Sequence, residues 1–127
     1  MPQLVEGGKW VFGWVIVSLA CEMKIPPAAC TECGFQPGEQ VLFLRGSRRS
    51  GGFGLGRQEN LASSPLRPRF LGQATIGAEG RVTLPQEAGV QPGERLLVVR
   101  GSGLGLMQRG LIYEGALKYP ELETFSI

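Results

Sequence analysis

Few residues in this chain could carry out chemistry on a substrate. Its 127 residues include no histidine and no aspartate, and all eleven acids are glutamates. A nucleophile needs a proton acceptor held beside it. No such pair can be written from glutamates scattered among turn-like and tail segments, so an enzyme is not expected. The three cysteines are Cys21, Cys30 and Cys33, and Cys30-Thr-Glu-Cys33 is a lone CxxC. Zinc asks for about four ligands, and only Cys21 remains to help. No metal and no cofactor are therefore expected, and the thiols read as small side chains packed around a short helix. An odd cysteine count without a wider pattern points to a reducing, cytoplasmic setting.

Charge offers a second kind of chemistry. Thirteen basic against eleven acidic side chains leave a net charge of +2, which does not announce a nucleic-acid binder. The distribution is less even. Arg45, Arg48, Arg49, Arg57, Arg67 and Arg69 are opposed between them only by Glu59. This segment is either a solvated loop and linker or a patch that contacts phosphates. The glycine runs Gly52-Phe-Gly-Leu-Gly56 and Gly101-Ser-Gly-Leu-Gly105 lack the lysine and hydroxyl ending of a phosphate loop. They read as tight turns and close strand approaches rather than a nucleotide site. Trp10 and Trp14 are an even number apart, which on a strand places both on one face. Core packing is the plainer expectation, and a stacking platform for bases is the alternative.

The elements that must position these residues occur twice. Val15 to Arg45 and Thr75 to Arg100 each contain two strand-like runs, a proline, a Gln-Pro-Gly-Glu turn and an apolar run closing on Arg-Gly-Ser. Such a repeat unit usually cannot bury its own apolar face. Pro26 matches Pro85 59 residues on, whereas Gln36 matches Gln91 55 residues on, so the second copy lacks four residues between them. Four residues is about one helical turn. A short helix is thus predicted after Pro26, with proline in its first turn and Gly34 past its end. A single turn should stand in its place after Pro85. Predicted strands cover Val11 to Val17, Met23 to Ile25, Val41 to Arg45, Phe53 to Gln58, Gln73 to Ile76, Arg81 to Leu84, Arg95 to Arg100 and Leu104 to Arg109. Leu111 to Tyr119 reads as a helix stopped before Pro120, with Leu122 and Phe125 packing back. The apolar stretch Trp10 to Cys21 is too short to span a bilayer. It supplies a strand of the first copy, so a signal segment and a membrane partner are not expected.

High glycine content and short apolar runs predict a mainly β chain. The expected divisions are a first half-barrel repeat over 1–58, a linker over 59–72, a second repeat over 73–110 and a tail over 111–127. Gly80-Arg-Val-Thr-Leu-Pro85 followed by Val90-Gln-Pro-Gly-Glu94, with Met23-Lys-Ile-Pro26 and Gly34-Phe-Gln-Pro-Gly-Glu39 as a looser copy, resembles the AbrB/SpoVT/MazE family of swapped-hairpin barrels. The resemblance covers roughly residues 12–58 and 73–109. It implies a swapped-hairpin (double-psi-like) β-barrel that two chains of the family usually build together, here made by two repeats of one chain.

For function, the resemblance implies a DNA-binding transcription regulator. Regulator-type relatives carry basic residues on the first strand, after the turn glycine and on the helix. Only Arg81 keeps such a cation. Ala74, Thr75, Val15 and Ile16 occupy first-strand positions, Glu22 takes the post-turn position of the first copy, and Cys30 and Thr31 lie on its helix. Losing phosphate contacts weakens the counterion release that drives non-specific binding. The candidate DNA-binding residues are therefore Arg81, Lys24, Arg45, Arg48, Arg49 and Arg57, with Arg100 as a further member of a relocated patch. The alternative is a protein-interaction or scaffold module that kept the barrel and lost DNA binding. Its partner, or a second copy of the chain, would meet the tail around Tyr113 to Phe125.

Overall fold

Strand formation starts where the sequence is richest in β-branched and aromatic residues. The computed structural model describes residues 3–5, 9–46, 51–57, 70–100 and 104–127. In chain order the elements are β1 (Gln3–Val5), β2 (Lys9–Ile16), β3 (Glu22–Lys24), α1 (Pro27–Cys33), β4 (Gln40–Arg45), β5 (Phe53–Arg57), β6 (Phe70–Thr75), β7 (Arg81–Thr83), β8 (Arg95–Arg100), β9 (Leu104–Met107), α2 (Leu111–Ala116) and β10 (Thr124–Phe125). The protein is mainly β with few short helices, as composition predicted.

The local signals act as expected. Proline opens α1, and Gly34 closes it at φ 73° with its N–H bonded to the Cys30 carbonyl. Only glycine adopts that left-handed geometry without penalty. In the second copy a single 3-10 turn, Gln86–Ala88, ends the same way at Gly89, φ 71°. The missing four residues are thus a helical turn. Both Gln-Pro-Gly-Glu turns are tied alike. Glu39 accepts the Gln36 N–H at 3.2 Å, and Glu94 accepts that of Gln91 at 3.0 Å. Gly38 then donates to Ile76 O, and Gly93 to Val17 O, each at 2.7 Å. Each turn therefore docks on the other copy.

That exchange governs the topology. The main sheet runs β1-β2-β8-β9-β5-β4-β6, with β10 added to β2, and β3 pairs with β7 as a separate ribbon. The first strand of each copy pairs with the third strand of the other. Val15 lies opposite Leu96, and Val41 opposite Ala74. These registers coincide once the 59- and 55-residue offsets are applied. Even the irregularities match: β2 slips between Val11 and Gly13 against β8, and β6 slips against β4 where Phe43 gives way to Leu44. Met23 faces Val82 in the ribbon and Gly54 faces Gly105 in the β5–β9 pair. A two-fold exchange of the copies therefore passes through both pairs. Gly54 and Gly105 are only 51 residues apart, so the second copy also lacks four residues in its β8–β9 connection, a deletion the motif comparison missed. Among the described residues the two ends of the main sheet, β1 and β6, do not pair, and no closed hydrogen-bonded barrel is seen.

One apolar core draws on both copies. Phe12, Met23, Ile25, Phe43, Phe53 and Val82 all belong to it and are 0–4% exposed. No polar or charged side chain is buried among the described residues. A second cluster lies where α2 and the tail meet β2 and β8. It contains Val11, Trp14, Leu97, Val99, Ala116 and Leu122. Trp14 is buried here, edge-on to Tyr113 with ring centroids 5.0 Å apart, while Trp10 remains 42% exposed. The two tryptophans lie on opposite faces, against the expectation from their spacing: the bulge between Val11 and Gly13 shifts the alternation, so Val11 rather than Trp10 joins Trp14 in this cluster, and Trp10 lies beside Arg100.

Some boundaries shift. Ahead of the first predicted strand, Gln3 to Val5 form β1 by pairing with β2. The linker over 59–72 gives way to β6 from Phe70; its residues 59–69 lie outside the described residues. The tail helix ends at Ala116, and the unexpected β10 pairs parallel to β2. No helix among the described residues is long and apolar enough to cross a membrane.

Candidate functional site

The β3–β7 ribbon brings together two of the candidate cations. Its inward residues, Met23 and Val82, are buried in the core. Alternation along each strand then turns Glu22, Lys24, Arg81 and Thr83 outward. Lys24 lies directly opposite Arg81, and Glu22 opposite Thr83. The next pair along, Ile25 and Gly80, exchanges a backbone bond at 2.9 Å. In an antiparallel ladder, bonded and non-bonded pairs alternate, so Lys24 and Arg81 form a non-bonded pair with Cα atoms about 4.5 Å apart. Arg81 is exposed and Lys24 half-buried. Among the described residues neither side chain makes an ion pair or a hydrogen bond. Like charges placed directly opposite one another are destabilising. At the other end of the ribbon the Thr83 hydroxyl donates to the Glu22 carboxylate at 3.5 Å.

The remaining candidates are dispersed. Arg45 pairs with Phe53 at one end of the β4–β5 hairpin, and Arg57 with Val41 at the other. Four strand residues separate these positions, or about 13 Å. Both belong to the main sheet rather than the ribbon. Arg48 and Arg49 lie outside the described residues. Arg100 is committed elsewhere. It makes a two-pronged ion pair with Glu32 of α1, its Nε at 2.8 Å, and its guanidinium lies 5.9 Å from the Trp10 ring centre. Glu32 holds the Arg100 charge more firmly, raising its pKa above the usual arginine value.

Arg95 is a functional-type contact that sequence reasoning missed. Its guanidinium sits 4.3 Å over the Trp14 ring. The only signal was strand alternation along β8, which puts Arg95, Leu97 and Val99 on the face that α2 and the tail cover. The ribbon pairing was not read from the sequence, although the repeat held a signal for it. The 59-residue offset equates Glu22 with Arg81 and Lys24 with Thr83, and pairing the two second strands antiparallel yields the observed neighbours.

Cys30 and Cys33 stand one turn apart on α1, and no group of three metal-ligating residues occurs among the described residues. Burial raises the pKa of both thiols above the ordinary cysteine value, and for Cys33 the nearby Glu32 and Cys30 raise it further. Burial favours the neutral thiol, so this contribution to stability is complete below the unfolded thiol pKa of about 8.5 and is lost as pH climbs through the folded values. Alkylation of these two thiols at neutral pH is expected to be slower in the folded protein than in denaturant, read by mass spectrometry. Equal rates would mean that α1 does not shelter them.

Comparison with protein-family models, curated proteins and solved structures returned no match.

Proposed function

We propose that the chain is a fused swapped-hairpin pair of the AbrB/SpoVT type, its two copies taking the parts that two subunits take in that family. The reciprocal pairing of first and third strands, at registers that match after the repeat offsets, supports this fold reading. On it rests the functional proposal: a DNA-binding transcription regulator that contacts the phosphate backbone of duplex DNA. The observation that carries it is the cross-strand pair Lys24–Arg81, two neighbouring cations left without a counter-charge among the described residues. An anion laid across both relieves their repulsion and releases its own counterions.

Each phosphate contact contributes about 0.9 to the slope of log K against log salt. Replacing both Lys24 and Arg81 by alanine is therefore expected to lower the steepness by about 1.8. Fluorescence anisotropy of a labelled duplex over a salt series measures this. No retention of wild-type protein on duplex DNA at low salt would end the proposal.

A protein-interaction module is the second reading, and one observation favours it. Glu22 occupies the place related to Arg81, and Leu19 at the neighbouring hairpin tip is 94% exposed. This reading expects no salt-dependent DNA binding. The tail it invoked as a contact surface is packed against its own β2 and β8, so a partner would meet only the exposed side of that tail, such as Leu111 and Leu117.

A further inference from the structure

We infer that the ribbon meets DNA from one end only, so that the chain contacts a single run of phosphates and does not read a palindrome. The inference rests on the DNA-binding proposal above. Two-fold dimers present the same surface twice, and their operators mirror that symmetry. Here the backbone keeps the two-fold relation while the side chains break it. The first copy places Glu22 and Lys24 on the ribbon, and the second places Arg81 and Thr83 at the equivalent positions.

Antiparallel pairing then sorts the charges. Lys24 and Arg81 fall side by side at one end, and Glu22 and Thr83 at the other. Beside the Glu22 end stands the exposed Leu19 of the hairpin tip. Beside the cationic end the turn carries Glu79, which forms no ion pair with Arg81 among the described residues. The copies also differ in shape, because the helical turn that carries Glu32 in α1 is cut to a single 3-10 turn in the second copy. Docking the dyad of the ribbon on the dyad of a palindrome would press the Glu22 carboxylate toward phosphates, a like-charge contact. Docking the cationic end alone avoids it.

The test titrates the full chain against a mixed-sequence duplex of about 21 bp, two helical turns, over a salt series. Lys24→Ala and Arg81→Ala are each expected to lower the salt slope by about 0.9, whereas Glu22→Arg leaves the slope unchanged because that position does not face phosphate. A rise of about 0.9 for Glu22→Arg would place both ends on the DNA and overturn the one-sided docking while leaving DNA binding intact. Absence of binding by the wild-type chain would remove both. Glu22→Gln, which only deletes the negative charge, checks that the result does not depend on a misfolded variant. It is expected to raise affinity by clearly less than Lys24→Ala lowers it, because Glu22 stands about 6.6 Å along the strand from Lys24, within the screening length of about 8 Å at physiological salt, and acts on the phosphates only from that distance. A gain matching the loss in Lys24→Ala would likewise overturn the inference.

Discussion

Phe43→Ala is expected to lose about 3–5 kcal/mol of stability, the cost of deleting a buried aromatic ring. Phe43 is fully buried and packs edge-on against Phe53, with centroids 5.5 Å apart. Its strand, β4, is hydrogen-bonded on both edges, to β5 of its own copy and to β6 of the other. Backbone held on two sides cannot move in to fill the space, so the cavity stays open and the cost belongs at the upper end of that range. Native stability is itself only about 5–15 kcal/mol, so the variant should stand close to unfolding. Urea denaturation followed by circular dichroism measures the change. A loss below about 1 kcal/mol would mean that the two copies do not share a tightly packed interior.

Gly13→Ala should act on the tail instead. Gly13 has φ 138°, outside the range of residues with a side chain, and a Cβ there would lie 2.5 Å from the Glu123 carbonyl oxygen. Both atoms in that contact are anchored to backbone, because Trp14 N–H bonds the same oxygen at 2.8 Å. Backbone strain of this kind costs on the order of 1–3 kcal/mol before the clash is counted. Releasing β10 relieves both. The expected result is a frayed tail on an intact body: faster proteolysis after Tyr113 and Tyr119, and altered fluorescence of Trp14 as its cover loosens. Gly72→Ala is the control. Gly72 is the equivalent position in the second copy, but it has no positive φ, and an added Cβ would meet only the Pro85 side chain at 3.3 Å. A similar response from both variants would show that Gly13 has no special part in seating the tail.

The contrast between these glycines shows what could be read in advance. Repetition of Gln-Pro-Gly-Glu, the prolines at 26 and 85 and the glycines at 34 and 89 depend on short-range conformational preference. They marked the turns, the helix and the excised helical turn without any knowledge of the fold. Strand alternation accounts for Met23 and Val82 facing inward and their neighbours outward, but which face is inward came only with the structure. The β8–β9 deletion escaped because no motif flanks it. The strand β10 escaped because two residues carry no periodicity.

The sequence by itself determined that two related units exist and that they are built of short strands. Those properties follow from residue type and from spacing along the chain. Only the tertiary structure decided which strands become neighbours. It set Lys24 beside Arg81 and Glu22 beside Thr83, drew Arg100 to Glu32, and parted Arg45 and Arg57 from the ribbon. Strand pairing acts through space, so Lys24 and Arg81, 57 positions apart in sequence, became neighbours, while Arg45 and Arg57, 12 apart, lie at opposite ends of a hairpin.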